Sequence, residues 1–316
     1  MKEPAKRYHA KLLLFGEYSL MVGSGALSIP FRRMEARLLF PASGMSEAEL
    51  RTAHNSNIQL RSYLYFLADL SKEWSGGFDI DRMHSDLDRG LYLQSNIPSG
   101  YGLGSSGVLV AAVFDRFALD KPARHQLQHP EALNTLKTTF ARMENFFHGS
   151  SSGLDPLISF LDEALLIGND NRLALLPDPL QLACAKGGFF LLDTRLSRNT
   201  APLVASFKEN YKKSAFRKIF QESYIPANNK CIDALLENSD RLPETMHSLS
   251  DLQLRYFREM IPEAYHATWT DGLSSGVFSL KLCGAGGGGY LLGFTENLQL
   301  LAQKLHRWED RIFVLD

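Results

Sequence analysis

The stretch Asn96-Ile-Pro-Ser-Gly-Tyr-Gly-Leu-Gly-Ser-Ser-Gly107 constrains this chain more than any other. The apolar segment Leu91-Tyr-Leu93 leads into it and the apolar run from Val108 to Phe117 leads out. Strand, glycine loop and helix together make an anion site. Glycines let the backbone turn tightly and approach a ligand closely. The first free N–H groups of the helix then point into the loop, and the helix dipole favours negative charge there. Ser105 and Ser106 add hydroxyl donors and a candidate metal ligand. A nucleoside triphosphate with its magnesium ion satisfies all of these features.

Other glycine loops fit less well. A GxxxxGK[ST] loop needs a lysine after its last glycine, whereas Ser105 and Val108 follow Gly104 and Gly107. The dinucleotide fingerprint GxGxxG is matched literally at Gly102, Gly104 and Gly107, with Asp120 downstream. That fingerprint opens directly from a strand, however, and Pro98-Ser-Gly-Tyr intervenes here. The protein-kinase glycine loop needs HRD and DFG motifs, and the chain has neither. A glycine-rich turn without a ligand stays open on this stretch alone.

Of the 316 residues 45% are hydrophobic, enough for a sizeable core in one large or two ordinary domains. With 34 basic and 35 acidic residues and no long basic stripe, nucleic acid is not expected as a partner. No apolar run reaches membrane-spanning length, and Met1-Lys-Glu-Pro-Ala-Lys-Arg7 lacks the apolar core of a signal peptide. Cys184, Cys231 and Cys283 form neither a disulfide framework nor a metal-ligand spacing, so a reduced, cytoplasmic protein is expected.

Tyr8 to Phe15 reads as a strand, with Lys11 either at an edge or aimed into a cleft. Gly16-Glu17-Tyr18 follows. Arg37 to Phe40 reads as a short strand, and Ile58 to Trp74 as a helix with Leu60, Tyr63, Leu64, Leu67, Leu70 and Trp74 on one stripe. Residues 78–93 read as strands around a solvated acidic turn containing Asp81, Asp86 and Asp88. Val108 onward is a helix apolar on every face, hence buried. Residues 118–130 read as a loop, and Glu131 to Phe147 as a helix that carries Glu144 near its C-terminus, where the dipole disfavours a carboxylate. In His148-Gly-Ser-Ser-Ser-Gly-Leu-Asp-Pro156, Asp155 reads as an N-cap followed by Pro at N1, a role compatible with catalysis.

Ala164 to Ile167 and Leu173 to Leu176 read as a hairpin. Composition shifts at Pro177-Asp-Pro179, which places a domain boundary after residue 179. Beyond it Gly188 to Asp193 reads as a strand, residues 201–260 are helical, and Phe278 to Leu282 and Tyr290 to Phe294 are strands joined by Cys283-Gly-Ala-Gly-Gly-Gly-Gly289. A final helix from Leu298 to Trp308 and a strand from Ile312 to Leu315 close the chain.

Three blocks in order resemble the GHMP kinase superfamily: Lys11-Leu-Leu-Leu-Phe-Gly-Glu-Tyr-Ser-Leu-Met-Val-Gly-Ser-Gly-Ala-Leu27, Pro98-Ser-Gly-Tyr-Gly-Leu-Gly-Ser-Ser106 and Lys281-Leu-Cys-Gly-Ala-Gly-Gly-Gly-Gly289. Two more resemble its mevalonate kinase branch: Glu144 with His148 to Asp155, and Thr194-Arg-Leu-Ser-Arg-Asn-Thr-Ala-Pro-Leu-Val204. The resemblance implies an α+β fold of two domains, 1–179 like ribosomal S5 domain 2 and 180–316 ferredoxin-like, with the active site in the cleft between them. It implies ATP held by Pro98, Gly100, Gly102, Leu103, Gly104, Ser105 and Ser106, and Mg²⁺ on Ser106 and Glu144, with Ser105 as second choice. Asp155 and Lys11 are the implied catalytic pair. Glu17, Tyr18, Arg198, Thr200, Gly284, Ala285 and Gly286 are implied at the acceptor site. The implied reaction is phosphorylation of a small-molecule alcohol, (R)-mevalonate on its 5-hydroxyl, in isoprenoid biosynthesis. The oligomeric state stays open, with a homodimer as one option.

Four departures stand out. Tyr18 replaces a usual His, Ser151 a usual proline and Gly107 a usual alanine, and Leu161-Asp-Glu163 lies where paired glycines are usual. Other GHMP members (phosphomevalonate kinase, diphosphomevalonate decarboxylase, a sugar kinase) and a silent ligand sensor on the same fold are the alternatives. The presence of Lys11, Glu144 and Asp155 favours an enzyme.

Overall fold

A computed structural model describes residues 5–73, 76–177, 179–182 and 187–315. Residues 1–4, Trp74, Asp178 and Cys184, named above, lie outside them. The chain groups into two compact units that interleave along the sequence. One holds the residues through Lys11, Pro30–Pro98 and Leu103–Glu163; the other holds Leu12–Ile29, Ser99–Gly102 and the chain from Ala164 onward. The chain crosses between the two units several times.

In chain order the first elements are β1 (Tyr8–Phe15), β2 (Ala26–Leu39), α1 (Glu47–Glu73), α2 (Ile80–Asp88), β3 (Tyr92–Ser95), α3 (Ser105–Phe117), α4 (Pro130–His148) and α5 (Leu154–Leu161). In the first unit β3 pairs antiparallel with the C-terminal part of β2, from Ala36↔Ser95 to Leu39↔Tyr92. β2 is one long strand where only Arg37 to Phe40 was expected. Its burial does not alternate, so the period-2 signal is blurred by Pro30, Arg32 and Arg33.

α1 begins with Glu47 and Glu49 and ends near Lys72, complementing its dipole, and it buries Ala53, Leu60, Tyr63, Leu64 and Leu67. α4 opens on Pro130, where a missing N–H costs nothing, and buries Leu133, Leu136, Phe140 and Met143. α3 is buried along almost its whole length. Phe140 meets Phe114 edge-on at 4.9 Å, and Tyr63 donates its hydroxyl proton to the Met143 carbonyl at 3.1 Å, so the three long helices share one core.

Most of residues 78–93, expected as strands, form α2. The Asp79 side chain caps it by accepting from Arg82 N–H at 3.0 Å, and Met83 and Leu87 share its buried face four residues apart. Asp86 lies in no solvated turn. It is buried, and the Arg116 guanidinium approaches it to 2.6 Å.

The chain continues with β4 (Ala164–Ile167), β5 (Leu173–Leu176), β6 (Gly188–Asp193), α6 (Thr200–Lys212), α7 (Ser214–Ile219), α8 (Ile225–Leu236), α9 (Leu242–Tyr256), α10 (His266–Ser275), β7 (Phe278–Leu282), β8 (Tyr290–Thr295), α11 (Leu298–Lys304) and β9 (Ile312–Val314). In the second unit β4 pairs with Ala26–Ser28 of β2 and with β5. A second sheet has the order β7-β8-β6-β9 with every pairing antiparallel. Its chain order is β-α-β-β-α-β, with the helical run α6 to α10 as the long first crossover. An aromatic core of Phe207, Phe220, Tyr224 and Phe257 fills the helical side.

Cys231 and Cys283 are buried. Among the described residues no helix is long and apolar enough to cross a membrane. The mixed helix and strand fold agrees with the α+β expectation.

Candidate active site

In the first unit β1 delivers Lys11 to the glycine loop: its backbone N–H donates to the Leu103 carbonyl at 3.0 Å. Its ammonium lies 3.1 Å from Asp155 Oδ1, and both side chains are largely shielded from solvent. β1 is an edge strand of its sheet, yet the Lys11 amine is paired with Asp155 and not left in solvent. Gly104 stands between the loop and α3 as the N-cap, with φ +73°, a conformation that a side chain with a Cβ resists. A Cβ at Gly104 would stand 3.1 Å from both Asp155 Oδ2 and Lys11 Cγ. The missing side chain keeps open the face of the carboxylate turned away from Lys11.

Asp155 is not an N-cap. α5 starts at Leu154, with Gly153 as its cap, so Asp155 occupies the first turn and adds favourable charge to the helix N-terminus.

Beside this pair, Ser106 in the first turn of α3 donates to Glu144 Oε1 at 2.8 Å. His148 Nε2 lies 2.9 Å from the same hydroxyl oxygen. Because the Ser106 proton goes to the carboxylate, the imidazole is the donor in that second contact. Ser151 donates to Glu144 Oε2 and accepts from Gly153 N–H at 3.0 Å. Glu144 is only 4% exposed. Burial first, and the neighbouring Asp155 charge second, push its carboxyl above the ordinary glutamate range, while Ser151, Ser106 and His148 act the other way.

These groups suit Mg²⁺. They are hard oxygen donors, Ser106 from the first turn of α3 and Glu144 from the C-terminal part of α4, and among the described residues no group of three or more His, Cys, Asp or Glu could form an all-protein cage. Mg²⁺ typically takes one or two protein ligands and leaves the rest to phosphates and water. Of the two serines expected at the metal, Ser106 makes the Glu144 contact, and Ser105 is exposed. Pro98 is half-buried at the entry to the loop.

The second unit holds all the residues expected at the acceptor. Glu17 is 1% exposed and is paired with the fully buried ammonium of Lys281, which also donates to the Leu282 carbonyl at 2.7 Å. Burial pushes the Glu17 carboxyl up, against the pull of Lys281. The Tyr18 hydroxyl donates to the Ala285 carbonyl at 2.6 Å, and its ring lies against Phe257 and Phe207 at 5.5 and 4.7 Å. Tyr18 also has φ +60°, which a bulky residue adopts only when its surroundings over-determine it.

Arg198 Nη1 donates to the Cys283 carbonyl at 2.7 Å, and the guanidinium covers Gly102 and Gly284 where side chains would otherwise stand. The Arg198 backbone N–H also donates to Gly100 at 3.2 Å. Gly286 packs against the Met260 carbonyl. Thr200 is exposed as the first residue of α6, behind its Asn199 cap.

Sequence reasoning gave no role to Lys281, His148 or Ser151. A lysine in the middle of an apolar strand is the one local signal for Lys281. An open cavity of about 510 Å³ beside α8 and α9 is lined by residues such as Glu222, Lys230, Asp233, Arg241 and Glu244, and none of the site residues lines it.

Residues 62–163 match the family model of the GHMP kinases N terminal domain, a span that contains Gly104, Ser106, Glu144 and Asp155. Residues 62–163 thus carry the GHMP kinases N-terminal domain. The chain is similar to mevalonate kinases: that of Thermococcus onnurineus is 24% identical over 324 residues, covering 92% of this chain and 88% of the relative. Among solved structures, L. major mevalonate kinase in complex with R-mevalonate has TM-score 0.61 at 16% identity, over 99% of this chain and 95% of that one. Lactococcus lactis galactokinase complexed with galactose has TM-score 0.63 at 14% identity, over 99% and 93%. The fold is thus shared by proteins with different acceptors.

Proposed function

We propose that this chain is an ATP-dependent kinase that transfers the γ-phosphoryl group to the primary 5-hydroxyl of (R)-mevalonate. The observation that carries this reading is the Lys11–Asp155 pair set beside the Ser106–Glu144 pair at the start of α3. Phosphoryl transfer asks mainly for positioning and positive charge near the moving group.

Asp155 accepts the alcohol proton on the oxygen turned towards Gly104, as Lys11 holds the other. The alcohol oxygen forms its bond to the γ-phosphorus while the bond from that phosphorus to the bridging oxygen breaks, and ADP leaves. Lys11 offsets the negative charge that develops at the transferring group. The α3 N-terminus and the loop N–H groups hold the phosphates. Mg²⁺, when bound by Ser106 and Glu144, neutralises charge on the phosphate oxygens.

The choice of mevalonate rests on the two branch-level blocks and on the relatives' names, because the fold is shared with galactokinase. Arg198 offers a planar fork for the substrate carboxylate, and Thr200 offers a hydroxyl. Glu17 and Tyr18 support the Cys283–Gly289 segment at the acceptor, Tyr18 through the Ala285 carbonyl and Glu17 through Lys281. The same reading includes 1–179 and 180–316 as the two family domains, a homodimer and a cytoplasmic place in isoprenoid biosynthesis.

A coupled ADP-release assay with mevalonate, 5-phosphomevalonate, 5-diphosphomevalonate, galactose and homoserine tests it. Mevalonate should have the highest kcat/KM. A preference for a phosphorylated substrate moves the chain to another step, and activity on none of them favours a sensor.

A further inference from the structure

Ser151 takes the place of a usual proline, and the structure gives its hydroxyl two partners. It donates to Glu144 Oε2 and accepts from the Gly153 N–H at 3.0 Å. A serine hydroxyl has one proton and two lone pairs. With Gly153 N–H occupying a lone pair, the single proton is aimed at Glu144. The other carboxylate oxygen accepts from Ser106 at 2.8 Å. Each oxygen of Glu144 is therefore held by a hydroxyl from a different segment, Ser106 from α3 and Ser151 from the turn between α4 and α5.

This arrangement matters because Glu144 is buried beside a second carboxylate, where an unsupported charge is costly. It also links two parts of the site. Gly153 caps α5, and Asp155 stands in the first turn of that helix. The hydroxyl that holds Glu144 is thus anchored to the turn that sets Asp155.

We propose that Ser151 is a positioning residue for the metal site: it fixes Glu144 through Oε2, so that Oε1 stays beside Ser106 Oγ as the oxygen pair offered to Mg²⁺. This rests on the phosphotransferase reading above, which makes Glu144 a ligand. Groups that orient a metal ligand without touching the metal typically contribute about 10–100-fold in metal affinity.

Mn²⁺ uptake by the full chain in the presence of ADP, followed by electron paramagnetic resonance, tests the proposal. Ser151→Ala should raise the Mn²⁺ dissociation constant about 10–100-fold, while metal-free ADP binding and the melting temperature stay close to the parent's. Ser151→Thr keeps the hydroxyl and should bind Mn²⁺ nearly as the parent does. In steady state, Ser151→Ala should need more Mg²⁺ for half-maximal rate but approach the parent kcat at saturation. If Ser151→Ala does not fold, Ser151→Cys fills the same space with a weaker donor and should show the same direction. Parent-like Mn²⁺ affinity in the hydroxyl-free variant, or no recovery in Ser151→Thr, overturns the inference alone. A parent chain that takes up no Mn²⁺ with ADP overturns the kinase reading and this inference together.

Discussion

Lys11 Nζ stands 3.1 Å from Asp155 Oδ1, and the α3 cap at Gly104 packs against both side chains. Asp155→Asn keeps the shape and removes the base, so kcat should fall on the order of 10²–10⁴-fold. Because Gly153 is the cap of α5, stability should drop modestly: the charge–dipole term of about 0.3–1 kcal/mol and the Lys11 ion pair are lost, and relief of the repulsion with Glu144 offsets part of this. Lys11→Met should lower kcat with little change in nucleotide affinity. Turnover and thermal unfolding measured on the same preparations check this, and near-normal turnover in Asp155→Asn would remove the residue from the chemistry.

Gly107 offers a second test. A Cβ there would meet Pro156 N at 2.7 Å and Asp155 C at 2.8 Å, both backbone atoms that cannot swing aside. Alanine favours a helix interior over glycine by about 1 kcal/mol, while overpacking costs about 1–3 kcal/mol. Packing should win, so Gly107→Ala should be destabilised and, with α5 pushed back, slower. A variant of raised stability in urea denaturation would refute the close approach of α3 and α5.

A pH dependence follows from Glu144. Its carboxyl is raised by burial and then by the Asp155 charge, so it becomes neutral at a higher pH than an ordinary glutamate. Metal binding needs the ionised form and should weaken as pH falls through that raised value. The raised value also makes the protonated form the better one for folding: this contribution is complete below the unfolded pKa and is lost as pH rises through the folded one. Asp155→Asn removes the second cause, so the acid limb of Mn²⁺ binding should move to lower pH. A limb that stays in place in a titration of the two proteins counts against coupling between the carboxylates.

Glu17 and Lys281 are both buried and paired. Lys281→Met strands a carboxylate and should cost about 3–5 kcal/mol, whereas Glu17→Gln with Lys281→Met together should cost clearly less than that single change. Chemical denaturation of the single and double variants decides. Equal losses in both would mean that the pair is not coupled.

Tyr18 donates to Ala285 from within the aromatic core. Tyr18→Phe should cost about 0.5–1.5 kcal/mol for the lost hydrogen bond and leave the ranking of alcohol acceptors unchanged. A changed ranking in the ADP-release panel would place the phenol at the acceptor after all.

Much of the site was legible in the residues. Gly104, Ser106, Glu144, Asp155 and Lys11 stand in short patterns whose chemistry is local: a loop of glycines before an apolar helix, a carboxylate at a helix end, a lysine within a strand. Most of the elements around them were readable for the same reason. Residues 78–91 were misread because Asp81, Asp86 and Asp88 look like turn residues until Arg116 comes to Asp86 from another helix.

Elements were set by near neighbours. Periodicity, caps and glycine placement act within a turn or a strand, so the chain's own order suffices to show that β1 carries Lys11, that a glycine loop opens α3 and that a short helix carries Asp155. Tertiary packing decided the rest. That Tyr18 became a buried clamp, that Glu17 was claimed by Lys281, that Gly107 has no room for a methyl group and that Ser151 holds Glu144 all depend on atoms distant in sequence. A hydrogen bond or a close approach is settled within a few tenths of an ångström, and only the packed fold sets distances between remote segments on that scale.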